Sequence, residues 1–156
     1  MKVTFFMPNS LPQAERIVLT WPNWRTIISS PVMYSMIVPL LFFDLFLEIF
    51  HRTVFPVLGI PLVLRGDYIR IDRHRLAYLP WILKFACAYC GYANGLIHFA
   101  ARIAGDTEWF FCPSKHQASS GFYPPPHHQH FAEYGDQEGF HKRFHDLKSL
   151  PQHESD

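Results

Sequence analysis

At 156 residues the chain has room for one domain with a tail. Its 14 basic and 13 acidic residues nearly cancel, which excludes the broad positive footprint of a nucleic-acid-binding protein. Aromatic residues reach 17%, more than a small soluble core can use, and the chain reads as an apolar first two thirds followed by a polar, histidine-rich last third.

Met1 to Pro12 carries one lysine, two prolines and no long apolar run, unlike a secretory signal. Trp21, Pro22 and Trp24 follow, placed as interfacial anchors would be, or equally as aromatics on a surface loop. Val32 to Phe50 is a 19-residue, almost wholly apolar stretch. As a helix it would be about 28 Å long, close to the hydrocarbon thickness of a bilayer. Asp44 and Glu48 oppose insertion, an Asp at mid-membrane costing roughly 2.5–3.5 kcal/mol, which the many Leu, Ile and Phe offset. The soluble alternative, a buried core helix, needs more chain around it than this protein has. We therefore expect a membrane helix.

Val54 to Leu64 is uncharged but broken by Pro56, Gly59 and Pro61, so it reads as an interfacial or re-entrant turn. Arg65, Arg70, Arg73 and Arg75 come next, tempered by Asp67 and Asp72, and the positive-inside rule puts this region in the cytoplasm. The alternation from Asp67 to Asp72 suits a short strand or an extended connector. Leu79 to Ala104 is a second apolar region of helical character. Its small residues (Ala86, Ala88, Gly91, Ala93, Gly95) permit close packing. Lys84, His98 and Arg102 favour a membrane-surface helix over a second span. Gln117 to Gln129 reads as a loop stiffened by Pro124, Pro125 and Pro126, and residues 131–149 as one short amphipathic helix.

All three cysteines and one histidine fall into a C-x2-C-x21-C-x3-H pattern: Cys87, Cys90, Cys112 and His116. Tetrahedral Cys₃His zinc sites are built from such short-range pairs, each supplying two adjacent corners. Gly91 and Pro113 sit where turns at such sites need them. The bland alternative is three buried cysteines acting as small hydrophobes. Iron in the same ligands, or a CxxC redox pair, are further readings. His74 and Asp72 are candidate outer partners, and His98 an alternative ligand, although a charged loop or a packed histidine explains them as well. Asp44, Glu48, His51 and Arg52 line one helical face. Glu48-x-x-His51 and Glu138-x-x-His141 form two ExxH motifs that recur in di-iron bundles, and a Glu48–Arg52 ion pair is the simpler account of the first. His127, His128, His130, His141 and His145 crowd the tail; His141 and His145 at i, i+4 could chelate a metal weakly and the tail could serve metal delivery, while the default reading is a solvated tail.

Several blocks resemble a family of small, uncharacterised bacterial proteins predicted to be membrane-associated. These are Tyr68-Ile69, Asp72-Arg-His-Arg-Leu-Ala-Tyr-Leu79, Cys87-Ala-Tyr-Cys90-Gly-Tyr-Ala-Asn-Gly95, Thr107-Glu108-Trp109, Cys112-Pro-Ser-Lys-His116 and Tyr134-Gly-Asp-Gln-Glu-Gly139. The resemblance runs from about residue 40 to 140 and implies one coherent site, with no reaction attached. Relatives usually carry Ile at the position of Ser114.

The expected architecture is mainly α, with one or two membrane helices. Its parts are an interfacial segment (1–31), a membrane helix and turn (32–64), an Arg-rich connector with a metal-stabilised cytosolic unit (65–116), and a Pro/His-rich tail (117–156). The expected function is that of a non-catalytic zinc-binding accessory or interaction subunit of a bacterial inner-membrane complex, with the metal facing the cytoplasm. Its expected partners are the lipid bilayer and another membrane protein. A membrane-bound redox protein, using iron or the CxxC thiols, is the alternative.

Overall fold

The computed structural model describes residues 24–145, and every regular element in them is helical. In chain order these are α1 (Trp24–Ser35), α2 (Ile37–Leu58), the single turn α3 (Arg65–Tyr68), a 3₁₀ turn (Arg73–Arg75), α4 (Trp81–Phe111), a second 3₁₀ turn (Pro126–His130) and α5 (Gln137–His145). The Asp67–Asp72 stretch is a helical turn leading into extended chain, and among the described residues the only β pairing is an isolated bridge, Ser114 to Ala132. Contacts divide the chain into two compact units, Met1–Leu40 and Leu41–Asp156. Residues 65–116 and the described part of the tail, 117–145, thus share one unit.

In the first unit, α1 closes at Ser35, whose hydroxyl donates to the Val32 carbonyl at 2.7 Å. A turn at Met36 separates it from α2. Pro39 is the third residue of α2, inside the first turn, where a backbone N–H has no helical partner to lose. Trp24 is exposed with the Arg25 guanidinium over its ring, while Trp21 lies outside the described residues.

Ile27–Leu58 forms a helical stretch long and apolar enough to cross a membrane. Only 6% of its most apolar window is buried, with Val32 72% and Phe46 67% exposed. The core helix of a soluble protein would show the reverse pattern.

Within the second unit α2 runs on through Pro56 to Leu58, further than the sequence suggests. Gly59 then takes φ 71°, and the chain turns back on two bonds: Gly59 N–H to the Pro56 carbonyl and Ile60 N–H to the Phe55 carbonyl at 2.8 Å. This is a Schellman stop, and its expected hydrophobic contact is present, because Ile60 and Phe55 belong to one core cluster with Phe99 and Ile103. His51 is buried between the rings of Phe55 and Phe99 and accepts the Val63 N–H through Nε2 at 3.0 Å. That bond pins the returning chain to α2.

The polar face of α2 is covered by protein. Arg65 makes a two-armed pair with Asp44, at 2.5 and 2.6 Å, and the Tyr92 hydroxyl donates to the same carboxylate at 2.8 Å. Burial and this bond push the Tyr92 phenol up to about 12. Glu48 takes Arg52 one turn on, the ion pair anticipated from their spacing. Because Asp44 meets Tyr92 and His51 meets Phe99, α4 runs alongside α2 in the same direction. Replacing Arg65 by Met leaves Asp44 without its cation. The expected loss is about 1–2 kcal/mol, below the ~3–5 kcal/mol of a fully buried pair, because the Arg65 side chain is 36% exposed. Thermal unfolding in mild detergent reads this out; an unchanged midpoint would show the pair to be incidental.

Candidate metal centre

Helix α4 is 31 residues without a break, about 46 Å at 1.5 Å per residue. That continuity decides the fate of the cysteine pattern. Cys87 and Cys90 lie in its first half, while Cys112 is its C-cap, with its N–H on the Glu108 carbonyl at 2.8 Å. Twenty-two residues of helix hold Cys90 and Cys112 roughly 33 Å apart along the axis. The structure therefore does not bring Cys87 and Cys90 to Cys112 and His116, and all three thiols are free. Asp72 and His74 are exposed at the 3₁₀ turn, and His98 is exposed on α4; none of them joins a cluster. Of the two ExxH motifs, His51 is committed to Val63 and His141 is exposed on α5, and His145's side chain lies outside the described residues.

His116 alone among those candidates enters a donor group. Ligand atoms of Glu108, His116 and His128 lie within 4.8 Å of one another, and no other such group occurs among the described residues. The local sequence explains how they meet. Pro113 is fully buried after the helix end, and its carbonyl accepts the Ala132 N–H at 2.8 Å. The Lys115 N–H returns a bond to the Ala132 carbonyl at 2.8 Å, completing a clasp between the two segments. Phe131, 2% exposed, anchors the clasp by packing on Trp109 and stacking on His128 at 4.8 Å. Between the strands of this clasp, the Pro124–Pro126 run limits the conformations available to the returning chain and opens directly into the 3₁₀ turn that carries His127 and His128.

Glu108 is the hub. Its Oε2 lies 2.8 Å from His127 Nε2, its Oε1 3.0 Å from His128 Nε2 and 3.9 Å from His116 Nε2. The His116 and His128 rings are 5.3 Å apart. Gly105, one turn before Glu108, makes room for the His127 ring, because a Cβ there would come within 3.1 Å of it. Burial of Glu108 would raise its carboxyl, but the bonds from His127 and His128 prevail and hold it below the usual carboxylate value. The His128 Nδ1 is buried without a hydrogen-bond partner.

The charge balance here calls for a cation. Glu108 sits in the last turn of a long helix, where unpaired carbonyls already carry partial negative charge. A carboxylate added there is unfavourable unless positive charge faces it. Protonated imidazoles or a metal ion supply that. Donors around tetrahedral Zn²⁺ at ~2.0–2.1 Å lie about 3.3–3.5 Å apart, so His116 must draw in by up to roughly 1.5 Å while Glu108 and His128, now hydrogen-bonded at 3.0 Å, part slightly to admit the ion.

Sequence reasoning left Glu108 out and placed His127 and His128 only in a histidine-rich tail, solvated by default, with metal delivery as a further option. The polyproline brace before two adjacent histidines was the available signal, but it reads as a spacer until the Pro113–Ala132 clasp is seen.

Among the described residues, the fold and the cluster define a helical protein with one helical stretch long and apolar enough to cross a membrane and a Glu/His donor group at the C-terminal end of α4. No protein-family model, curated protein or solved structure matches the chain. The motif resemblance thus stands without a family match, and the geometry carries the functional reading.

Proposed function

We propose that this chain is a membrane-tethered metal-binding protein, with the ion held by Glu108, His116 and His128 rather than by thiolates. The convergence of these three donors on the end of α4 is the observation that carries the proposal. A donor set of two imidazoles and a carboxylate suits zinc, and equally ferrous iron in the two-His, one-carboxylate arrangement. The exposed apolar face of Ile27–Leu58 is the tether, with the bilayer as its partner. Its polar residues Asp44 and Glu48 are turned to Arg65, as a helix in lipid requires. The arginines at 65, 70, 73 and 75 favour a cytoplasmic placement of the second unit at a bacterial inner membrane.

The role that fits best is an accessory or interaction subunit that presents this metal unit beside a larger membrane partner. The second reading, a redox protein, rests on the carboxylate–imidazole set, which accepts iron without any cysteine. Metal analysis and the visible spectrum of detergent-purified full-length protein separate the two. One equivalent of zinc supports the accessory role, and coloured, reversibly titrating iron supports redox. Absence of any metal after anaerobic purification would remove both. Reporter fusions after Glu15 and after Gln117 are expected on opposite sides of the membrane; the same side for both would refute the single span.

A further inference from the structure

We propose that the ion held by Glu108, His116 and His128 keeps a fourth, solvent-facing coordination position that takes an exchangeable water or a small anion. This rests on the metal-binding reading above and goes further, because it states what the site can bind. Three protein donors fill three corners of a tetrahedron, and sites of that kind leave the fourth for water or substrate, whereas structural sites are closed by four.

The competing fourth donor is His127, and the geometry gives it another task. Its Nε2 is paired with Glu108 Oε2, the carboxylate oxygen turned away from His116 and His128. The three-donor group therefore gathers around Oε1 and does not include His127. The bond to Oε2 restricts rotation of the carboxylate, so His127 biases the direction in which Oε1 points. It acts as a positioning residue, much as outer partners orient metal-bound groups elsewhere. Gly105 is part of the same device, since a Cβ there would press on the His127 ring at 3.1 Å and push it from this position by a few tenths of an ångström.

Burial falls across the group in one direction. The side chains of His128, Glu108 and His116 are 3%, 32% and 66% exposed in turn. The vacant corner lies on the His116 side, where solvent has access. Phe122 stands edge-on to the His116 ring at 5.7 Å and shelters that side in part. A small, monodentate anion fits such an opening; a chelating one would have to displace His116.

The test uses full-length protein in detergent, loaded with Co²⁺ alone and titrated with sodium azide. Wild type is expected to show visible cobalt bands that change saturably with azide. His127→Ala should bind cobalt roughly 10–100-fold more weakly, as loss of an outer partner does, yet keep the azide response. Cobalt bands silent to azide in wild type but responsive in His127→Ala would make His127 the fourth ligand and overturn the open position. Bands silent in both proteins would overturn it as well. In either case the metal site itself would stand. Wild type that binds no cobalt would overturn the site and this inference together.

Discussion

Glu108→Gln and His128→Ala are each expected to strip the metal from purified full-length protein, whereas Cys87→Ser, Cys90→Ser and Cys112→Ser combined should leave it bound. Gln keeps the shape of Glu108 and can still hydrogen-bond His127 and His128, but it removes the negative charge that an ion needs. Losing one of three donors should cost more than the roughly 10–100-fold typical of an outer partner. At micromolar protein that is the difference between one equivalent and almost none. His128 is almost wholly buried, so His128→Ala also leaves a void beneath Phe131, and its effect mixes ligand loss with packing loss. Glu108→Gln is the cleaner variant, and circular dichroism beside the metal assay shows whether the fold is kept. The opposite pattern, in which the cysteine variant loses metal and Glu108→Gln retains it, would restore the thiolate site. If the Glu/His group is only a hydrogen-bonded brace, Glu108→Gln changes the unfolding midpoint and the metal assay reads zero throughout.

The second large effect falls on Gly95. A Cβ there would lie 2.7 Å from the Tyr68 carbonyl oxygen and 2.8 Å from the Ile69 Cα. Both are backbone atoms and cannot rotate aside, so α4 or the connector must move. One turn earlier, at Gly91, a Cβ would meet the Arg70 carbonyl at 3.0 Å. The pair makes a shallow groove in α4 in which the connector lies, and the residues it positions include Tyr68, packed against the Phe55–Phe99 core. Ala is worth about 1 kcal/mol over Gly in a free helix, but overpacking at this contact costs about 1–3 kcal/mol and disturbs the core as well. With the helix gain set against the overpacking, Gly95→Ala is expected to lower the thermal midpoint by up to roughly 8 °C. It should also open the connector to proteolysis at Arg70, Arg73 and Arg75. Gly66, with open space at its Cβ, is the control: Gly66→Ala should leave the midpoint unchanged or slightly raised. Equal behaviour of the two variants would mean that the close approach at Gly95 carries no weight.

Several features were legible in the residues because they depend on local chemistry. The apolar run ending near Phe50 was legible as helix and Gly59 as a break, but the continuation through Pro56 to Leu58 was not, because the Schellman turn at Gly59, rather than Pro56, ends the helix. The small residues of α4 announced a close approach, and Gly91 and Gly95 make it, although against a connector rather than another helix. The Glu48–Arg52 pair followed from i, i+4 spacing alone. The motif with the strongest ligand spacing, by contrast, is not gathered into one place by the fold. A CxxC and a CPxKH segment suggest one site only if the chain between them folds back, and twenty-one residues of uninterrupted helix do not.

What the sequence by itself determined was helix and the length of the apolar run, because these rest on propensity and composition within a few residues of each other. Which donors meet was decided only by tertiary structure. Glu108 and His128 are twenty residues apart and share no periodicity; the Pro113–Ala132 bonds and the Phe131 anchor bring them together. Contacts of that kind depend on the geometry of a turn and the filling of one apolar pocket, and neither leaves a spacing rule in the chain.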